Sequence, residues 1–196
     1  MGVDRDTPHF AMELVDGETL SRLISRRGPG AEVDPAFCFG MAAAFAGAAD
    51  GLQHAHAQGV VHRDIKPSNL ILDRGGRLRI LDFGLARLDG EPSLTRTLDV
   101  LGTPRYMSPE QARARKVPID HRTDVYSLGA TLYEVLTGVP AFEGKSHHDT
   151  LARIIERDPE PPRARKPRIP ADLETIVLKC MRKDAAERYG TAEALA

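Results

Sequence analysis

Two helical segments that offer almost no polar face constrain this chain more than anything else in it. From Asp34 to about Gln58 the sequence is Ala-rich and apolar nearly all round, with Asp34 placed to cap the helix, Pro35 at its first position and Gly59 to stop it. Thr123 to Thr137, TDVYSLGATLYEVLT, reads as a second strongly apolar helix ended by Gly138. Helices of this kind belong inside a domain, and a 196-residue chain that is 41% apolar is long enough to cover both. The longest apolar run, Phe37 to Ala49, is short of a bilayer span and contains Gly40 and Gly47, so a buried helix is expected and no membrane segment.

Around these helices the pattern predicts an α+β, predominantly α-helical single domain with no internal repeat. His9 to Val15 reads as one extended strand, closed by Asp16-Gly17 before a short helix from Thr19 to Arg26. Leu70 to Leu81 reads as two short strands about a Gly75-Gly76 turn. Arg87 to Gly102 is irregular and rich in Ser and Thr, and Ser108-Pro109-Glu110 opens a short helical turn. Helices follow at His147 to Glu156 and Ala171 to Met181, joined by a stiff Pro-rich connection, and a last one begins near Thr191.

The net charge of -1 gives no electrostatic reason to expect a nucleic-acid partner. Cys38 and Cys180 are far apart without a CxxC, which suggests neither a disulfide framework nor a zinc site and fits a reducing compartment. The start, MGVDRDTPHF, has no apolar run for a signal peptide, and Asp6 stands where a myristoylation motif wants Ser or Thr, so a cytoplasmic chain is expected. His54 and His56 lie two apart on a helix and His147 is adjacent to His148; neither spacing makes a metal pair, and surface histidines are expected.

The chemistry is concentrated in HRDIKPSN, His62 to Asn69, and in Asp82-Phe83-Gly84. At this spacing the residues offer a carboxylate for a hydroxyl proton, a cation beside it, and an amide plus a second carboxylate as hard oxygen ligands for Mg²⁺. That is the equipment of phosphoryl transfer. The two motifs resemble the catalytic loop, with Ile65 in place of Leu, and the metal-binding segment of a eukaryotic-like (bacterial Hanks-type) serine/threonine protein kinase catalytic domain. The resemblance implies a protein kinase-like fold represented mostly by its larger C-terminal lobe, with ATP and Mg²⁺ as cofactors and protein Ser/Thr hydroxyls as acceptors.

On this resemblance Asp64 orients the acceptor hydroxyl and takes its proton, Lys66 stabilises the transferring phosphate, and Asn69 and Asp82 hold the metal. His62 and Phe83 pack beneath the site next to Gly84, and Asp124 receives backbone N–H groups of the catalytic loop. GTPRYMSPE, Gly102 to Glu110, resembles the segment that receives the substrate. Thr103 favours the serine/threonine branch, and Glu110 has its family partner in Arg188. Arg63 is the arginine that answers a phosphate on the activation loop, for which Thr95 and Thr97, with Ser93 behind them, are the acceptors. HFAMELVDGETL resembles the last strand of the smaller lobe and the hinge, with Met12 as gatekeeper, the backbone of Glu13 and Val15 bonding adenine, and Ile71 beneath the ring.

The resemblance has a gap. No lysine precedes Lys66, so nothing matches the phosphate-anchoring Lys of the smaller lobe, and Gly28 to Val33 fails as a Gly-rich loop because Val33 replaces the third glycine and the segment follows the hinge. Residues 1–17 are therefore expected to hold only the last strand of the smaller lobe and the hinge, and 18–196 the larger lobe, cut in its last helix. Such a fragment would have low autonomous activity and an open strand edge that favours kinase–kinase association. The alternative is a catalytically inactive remnant or a protein-interaction module of kinase fold.

Overall fold

The computed structural model of the chain describes the backbone of residues 2–4 and 7–9 and the complete residues 13–83, 104–113 and 119–196. Strands β1 (Gly2–Asp4) and β2 (Thr7–His9) form an antiparallel hairpin. Strand β3 (Gly17–Thr19) leads directly into α1 (Leu20–Arg27), and α2 (Pro35–Ala57) follows. A 3₁₀ turn at Pro67–Asn69 precedes β4 (Leu70–Asp73) and β5 (Leu78–Ile80). The remaining helices are α3 (Pro109–Ala112), α4 (Arg122–Thr137), α5 (His147–Glu156), α6 (Pro162–Arg165) and α7 (Ala171–Cys180), with a second 3₁₀ turn at Ala185–Glu187.

Several helix ends fall where capping chemistry puts them. The Asp34 carboxylate accepts the Phe37 N–H at 2.7 Å and Pro35 opens α2, while the Thr19 hydroxyl accepts from the Arg22 N–H at the start of α1. Gly138 ends α4 with φ +77 and donates its N–H to Glu134 O at 2.8 Å. In the β4–β5 hairpin the Asp73 carboxylate accepts the N–H groups of Gly75 and Arg77, both at 2.9 Å, and Gly76 takes φ +75.

The two apolar helices differ in kind. Every residue of α4 from Thr123 to Thr137 is buried, as expected of a central helix. Helix α2 is one-sided: Cys38, Met41, Ala44, Phe45, Ala48, Ala49 and Leu52 form its buried face at helical spacing, while Phe39 and Gly40 are exposed. Its outer face is apolar mainly through small residues, which is why its pattern reads as apolar all round. The helix is long and apolar enough to cross a bilayer by length and composition; in this fold its Cys38-to-Leu52 face belongs to the core.

Helix α7 packs on α4, and an added Cβ at Gly129 would lie 2.4 Å from the Cys180 Cβ, so only glycine permits that approach. The three-stranded antiparallel sheet has the order β3-β4-β5, with Thr19 opposite Ile71 and Ile71 opposite Arg79. Gly17 is again a close approach, since its Cβ would meet Leu72 O at 2.4 Å.

Three expectations need correcting. The strand predicted over His9 to Val15 does not reach Val15: Glu13 to Asp16 has no regular structure, and residues 10–12 lie outside the described residues. An alternating apolar run forms a strand only where another strand pairs with it, and the β4 partner takes residues 17–19 instead. The Pro-rich connection contains α6, anchored by Lys166, whose Nζ donates to the carbonyls of Pro29 and Ala31. The stretch from Thr191 forms turns rather than a helix, with Ala192 fully buried and Leu195 packed on the core.

Candidate active site

Beyond α2 the chain turns at Gly59 and runs without regular structure to the 3₁₀ turn, so something other than a backbone ladder must hold it. Asp124, fully buried in the first turn of α4, does so. Its Oδ2 accepts the His62 N–H and its Oδ1 the Arg63 N–H, both at 2.8 Å, and His56 Nε2 approaches Oδ2 at 2.8 Å. A buried carboxylate with three donors has its desolvation offset, and it fixes two consecutive peptides. Arg63 sits at φ +65, a left-handed conformation that costs an L residue about 1–2 kcal/mol and persists only when its surroundings impose it.

This clamp aims Asp64. Its carboxylate receives Lys66 Nζ at 3.0 and 2.8 Å and Asn69 Nδ2 at 3.0 Å, and Asn69 Nδ2 also donates to the Asp64 carbonyl at 2.9 Å. The Asp64 and Lys66 side chains are each 33% exposed, so an incoming hydroxyl can reach the carboxylate. The Asp64 N–H donates to His62 Nδ1 at 3.2 Å, and His62 Nε2–H donates to Leu81 O at 2.8 Å, which assigns the neutral Nε2–H tautomer. The Leu81 N–H in turn donates to Asn69 O at 2.9 Å, drawing the residues after β5 alongside the loop.

Asp82 follows at φ +58 with an exposed side chain, and Phe83 sets its ring edge-on to His62 with centroids 5.0 Å apart. Among the described residues no group of three or more His, Cys, Asp or Glu side chains forms an all-protein metal cage. An amide oxygen at Asn69 and a carboxylate at Asp82 are instead the sparse oxygen set that suits Mg²⁺, an ion that keeps waters and phosphate oxygens as its other ligands. The residues present fit that ion.

The segment after Gly102 is anchored to the same core. Ser108 caps α3 in a reciprocal box with Gln111 and pairs its hydroxyl with that of Thr123 at 2.6 Å. Ser127 Oγ donates to Tyr106 O at 2.8 Å, and Tyr106 OH donates to Glu134 at 2.5 Å. Burial pushes the Glu134 carboxyl above its usual range, and burial beside that carboxylate pushes the Tyr106 hydroxyl up as well. Arg105 pairs with Glu143 at the edge of this cluster.

Glu110 and Arg188 form a bidentate pair with both bonds at 2.7 Å, and the Arg188 guanidinium also donates to the carbonyls of Arg182, Lys183 and Arg122. Burial alone would raise the Glu110 pKa; the Arg188 bonds and charge outweigh it and hold the carboxyl below its ordinary range.

The structure thus brings His62, Arg63, Asp64, Lys66, Asn69, Asp82, Phe83 and Asp124 together, and pairs Glu110 with Arg188 at a second point. Glu13 and Val15 lie in the irregular run before β3, beside a 93% exposed Leu14, and Ile71 is half-buried on β4. Met12, Gly84, Thr95, Thr97 and Thr103 lie outside the described residues.

Two residues of this network were not anticipated. His56 is no surface histidine: its side chain is 5% exposed, bonds Asp124 and leans on His121 with ring centroids 5.4 Å apart. The only hint in the sequence is a polar residue inside an apolar helix. Gln111, whose Nε2 donates to Arg63 O at 2.8 Å, gave no signal beyond its place three residues after Ser108.

Comparison with known proteins agrees with this geometry. Residues 2–196 match the family described as protein kinase domain. The chain is 42% identical over 187 residues to serine/threonine-protein kinase PknB of Mycobacterium tuberculosis, covering 94% of this chain and 29% of that protein. It is 39% identical over 188 residues to probable serine/threonine-protein kinase SCO3848 of Streptomyces coelicolor, covering 95% of this chain and 27% of that one. Against probable serine/threonine-protein kinase CE0033 of Corynebacterium efficiens the identity is 36% over 203 residues, covering 99% and 30%. The chain therefore spans less than a third of the length of these relatives. A match over nearly every residue, joined to a catalytic loop built on Asp64, Asn69 and Asp124, establishes that the chain belongs to the protein kinase domain family.

Proposed function

We propose that this chain carries the catalytic half of a transfer of the ATP γ-phosphoryl group to Ser and Thr hydroxyls of protein substrates. The observation that supports it best is the Asp64 carboxylate held from two sides, by Lys66 Nζ and Asn69 Nδ2, with one third of its surface open. In this reading Asp64 orients the acceptor hydroxyl and takes its proton as the oxygen attacks. Lys66, within bonding distance of Asp64, moves its charge toward the transferring phosphate. Asn69 Oδ1 and the Asp82 carboxylate hold Mg²⁺, which, when bound, neutralises the phosphate charge that develops in transfer.

The backbone of Glu13 and Val15 bonds the adenine, with Met12 beside it and Ile71 beneath. Phosphate on Thr95 or Thr97, with Ser93 as a further acceptor, switches the site on through Arg63, and Thr103 favours Ser/Thr acceptors. The relatives are named as serine/threonine kinases, which supports the same acceptor class. Two free, buried cysteines suit a cytoplasmic setting.

The sequence has no lysine before Lys66, so nothing among these residues matches the phosphate-anchoring Lys of the smaller lobe, and slow turnover by this chain alone is part of the proposal. That same feature favours a second reading, a kinase-fold module that binds protein partners without turning over ATP. Phosphoamino-acid analysis of a mixed protein substrate after incubation with the chain and γ-labelled Mg-ATP tests the proposal. Label on Ser and Thr and none on Tyr is expected; label on Tyr rejects the acceptor class, and no label favours the binding module.

A further inference from the structure

We infer that Gln111 is a positioning residue for Asp64, acting through the single peptide unit that joins Arg63 to Asp64. Both polar groups of that peptide are held by side chains: its C=O accepts Gln111 Nε2–H at 2.8 Å, and its N–H, that of Asp64, donates to His62 Nδ1 at 3.2 Å. The preceding N–H, of Arg63, is held by Asp124 at 2.8 Å. Arg63 is at φ +65, so its ψ, and with it the direction of the Asp64 side chain, depends on what grips the following carbonyl. His62 and Asp124 belong to the catalytic loop and the central helix; Gln111 brings its contact from α3, at the end of the segment that would receive the substrate.

The other end of the Gln111 amide is committed to that segment. Its Oε1 accepts the Ser108 N–H at 3.0 Å and the Ser108 hydroxyl at 3.2 Å, and Ser108 is fastened to Thr123 on α4. One planar amide therefore spans the two parts, accepting from the segment that would receive the acceptor protein and donating to the loop that carries the base. A shift of Ser108 pulls Nε2 off the Arg63 carbonyl and lets the Asp64 peptide turn. The order of the substrate segment is in this way felt at Asp64 with no contact between Gln111 and any substrate.

Two substitutions separate this role from helix capping. Gln111→Glu keeps an acceptor for Ser108 but has no donor for the Arg63 carbonyl; Gln111→Met loses both. The inference rests on the phosphoryl-transfer reading for its kinetic readout only. In the full chain, Gln111→Glu is expected to lower kcat by ~10–10²-fold, as about an ångström of misplacement does. KM for Mg-ATP should stay within about twofold, since the lost contact acts on the transferring geometry and not on nucleotide binding. Hydrogen exchange at the Asp64 amide should speed up by about tenfold, the equivalent of one lost hydrogen bond, while amides in the middle of α4 stay as protected as before.

If capping were its only role, Gln111→Glu would match the wild type in kcat and in Asp64 amide exchange, and only Gln111→Met would fall; that pattern overturns the inference. Should the wild type transfer no phosphate, the proposed function fails by itself, and exchange at the Asp64 amide decides the positioning role alone.

Discussion

Asp124 shows how much of the site rests on one carboxylate. It accepts from two consecutive N–H groups of the catalytic loop and from His56, with no exposure to solvent. Asp124→Asn leaves one acceptor oxygen where two are used, so a buried N–H loses its partner. The expected loss is about 1–3 kcal/mol of unfolding free energy in urea, together with a reduced rate of transfer. The Glu110–Arg188 pair makes a prediction about pH. Because the folded Glu110 pKa lies below its ordinary 4.5, its contribution is complete above about pH 4.5 and is lost as pH falls through the depressed folded value.

Glu110→Gln strands the buried Arg188 charge and should cost about 3–5 kcal/mol near neutrality. It should also flatten this acid limb, which urea titrations at several pH values would reveal. At this scale the sequence was legible wherever a residue belonged to a motif. The Asp124 bonds to the catalytic loop and the Glu110–Arg188 pair were read from motifs and are present. His56 and Gln111 were not read, because each matters through a partner distant in the chain, 68 and 48 positions away, that local pattern does not reveal.

Among the elements, helices were the more legible because their boundaries are written in local chemistry. Asp34-Pro35 at the start of α2, Ser146 before α5 and Gly138 after α4 each act within one turn. Strands depend on a partner elsewhere. That is why the apolar run before Asp16 misled, while the short Gly17–Thr19 strand exists because β4 pairs with it. The packing of α7 on α4 was equally hidden, since nothing near Gly129 announces Cys180. Gly129→Ala should therefore destabilise rather than improve the helix: the added methyl would meet the Cys180 Cβ at 2.4 Å. A loss of about 1–3 kcal/mol from overpacking, read as a lowered Tm, outweighs the ~1 kcal/mol that alanine gains in helix propensity. An unchanged or raised Tm would show that the two helices are free to separate.

For the molecule as a whole, one central helix collects the functional parts. Helix α4 holds the catalytic loop through Asp124, the segment with Tyr106 and Ser108 through Thr123, Ser127 and Glu134, and α7 through Gly129. The catalytic loop is thus held by contacts among residues 56–134. The fold class and the family were legible at this level because two motifs in fixed order specify both; the way α4 links them was not, since it requires the packing. The central claim is that this loop performs phosphoryl transfer through Asp64. The direct measurement is single-turnover transfer from γ-labelled Mg-ATP to a Ser/Thr protein substrate, wild type beside Asp64→Asn, with circular dichroism confirming that both are folded. Slow but measurable incorporation by the wild type, reduced by at least ~10²-fold in Asp64→Asn, is the predicted result. Equal incorporation by the two proteins, or none by either at saturating Mg-ATP, would contradict it.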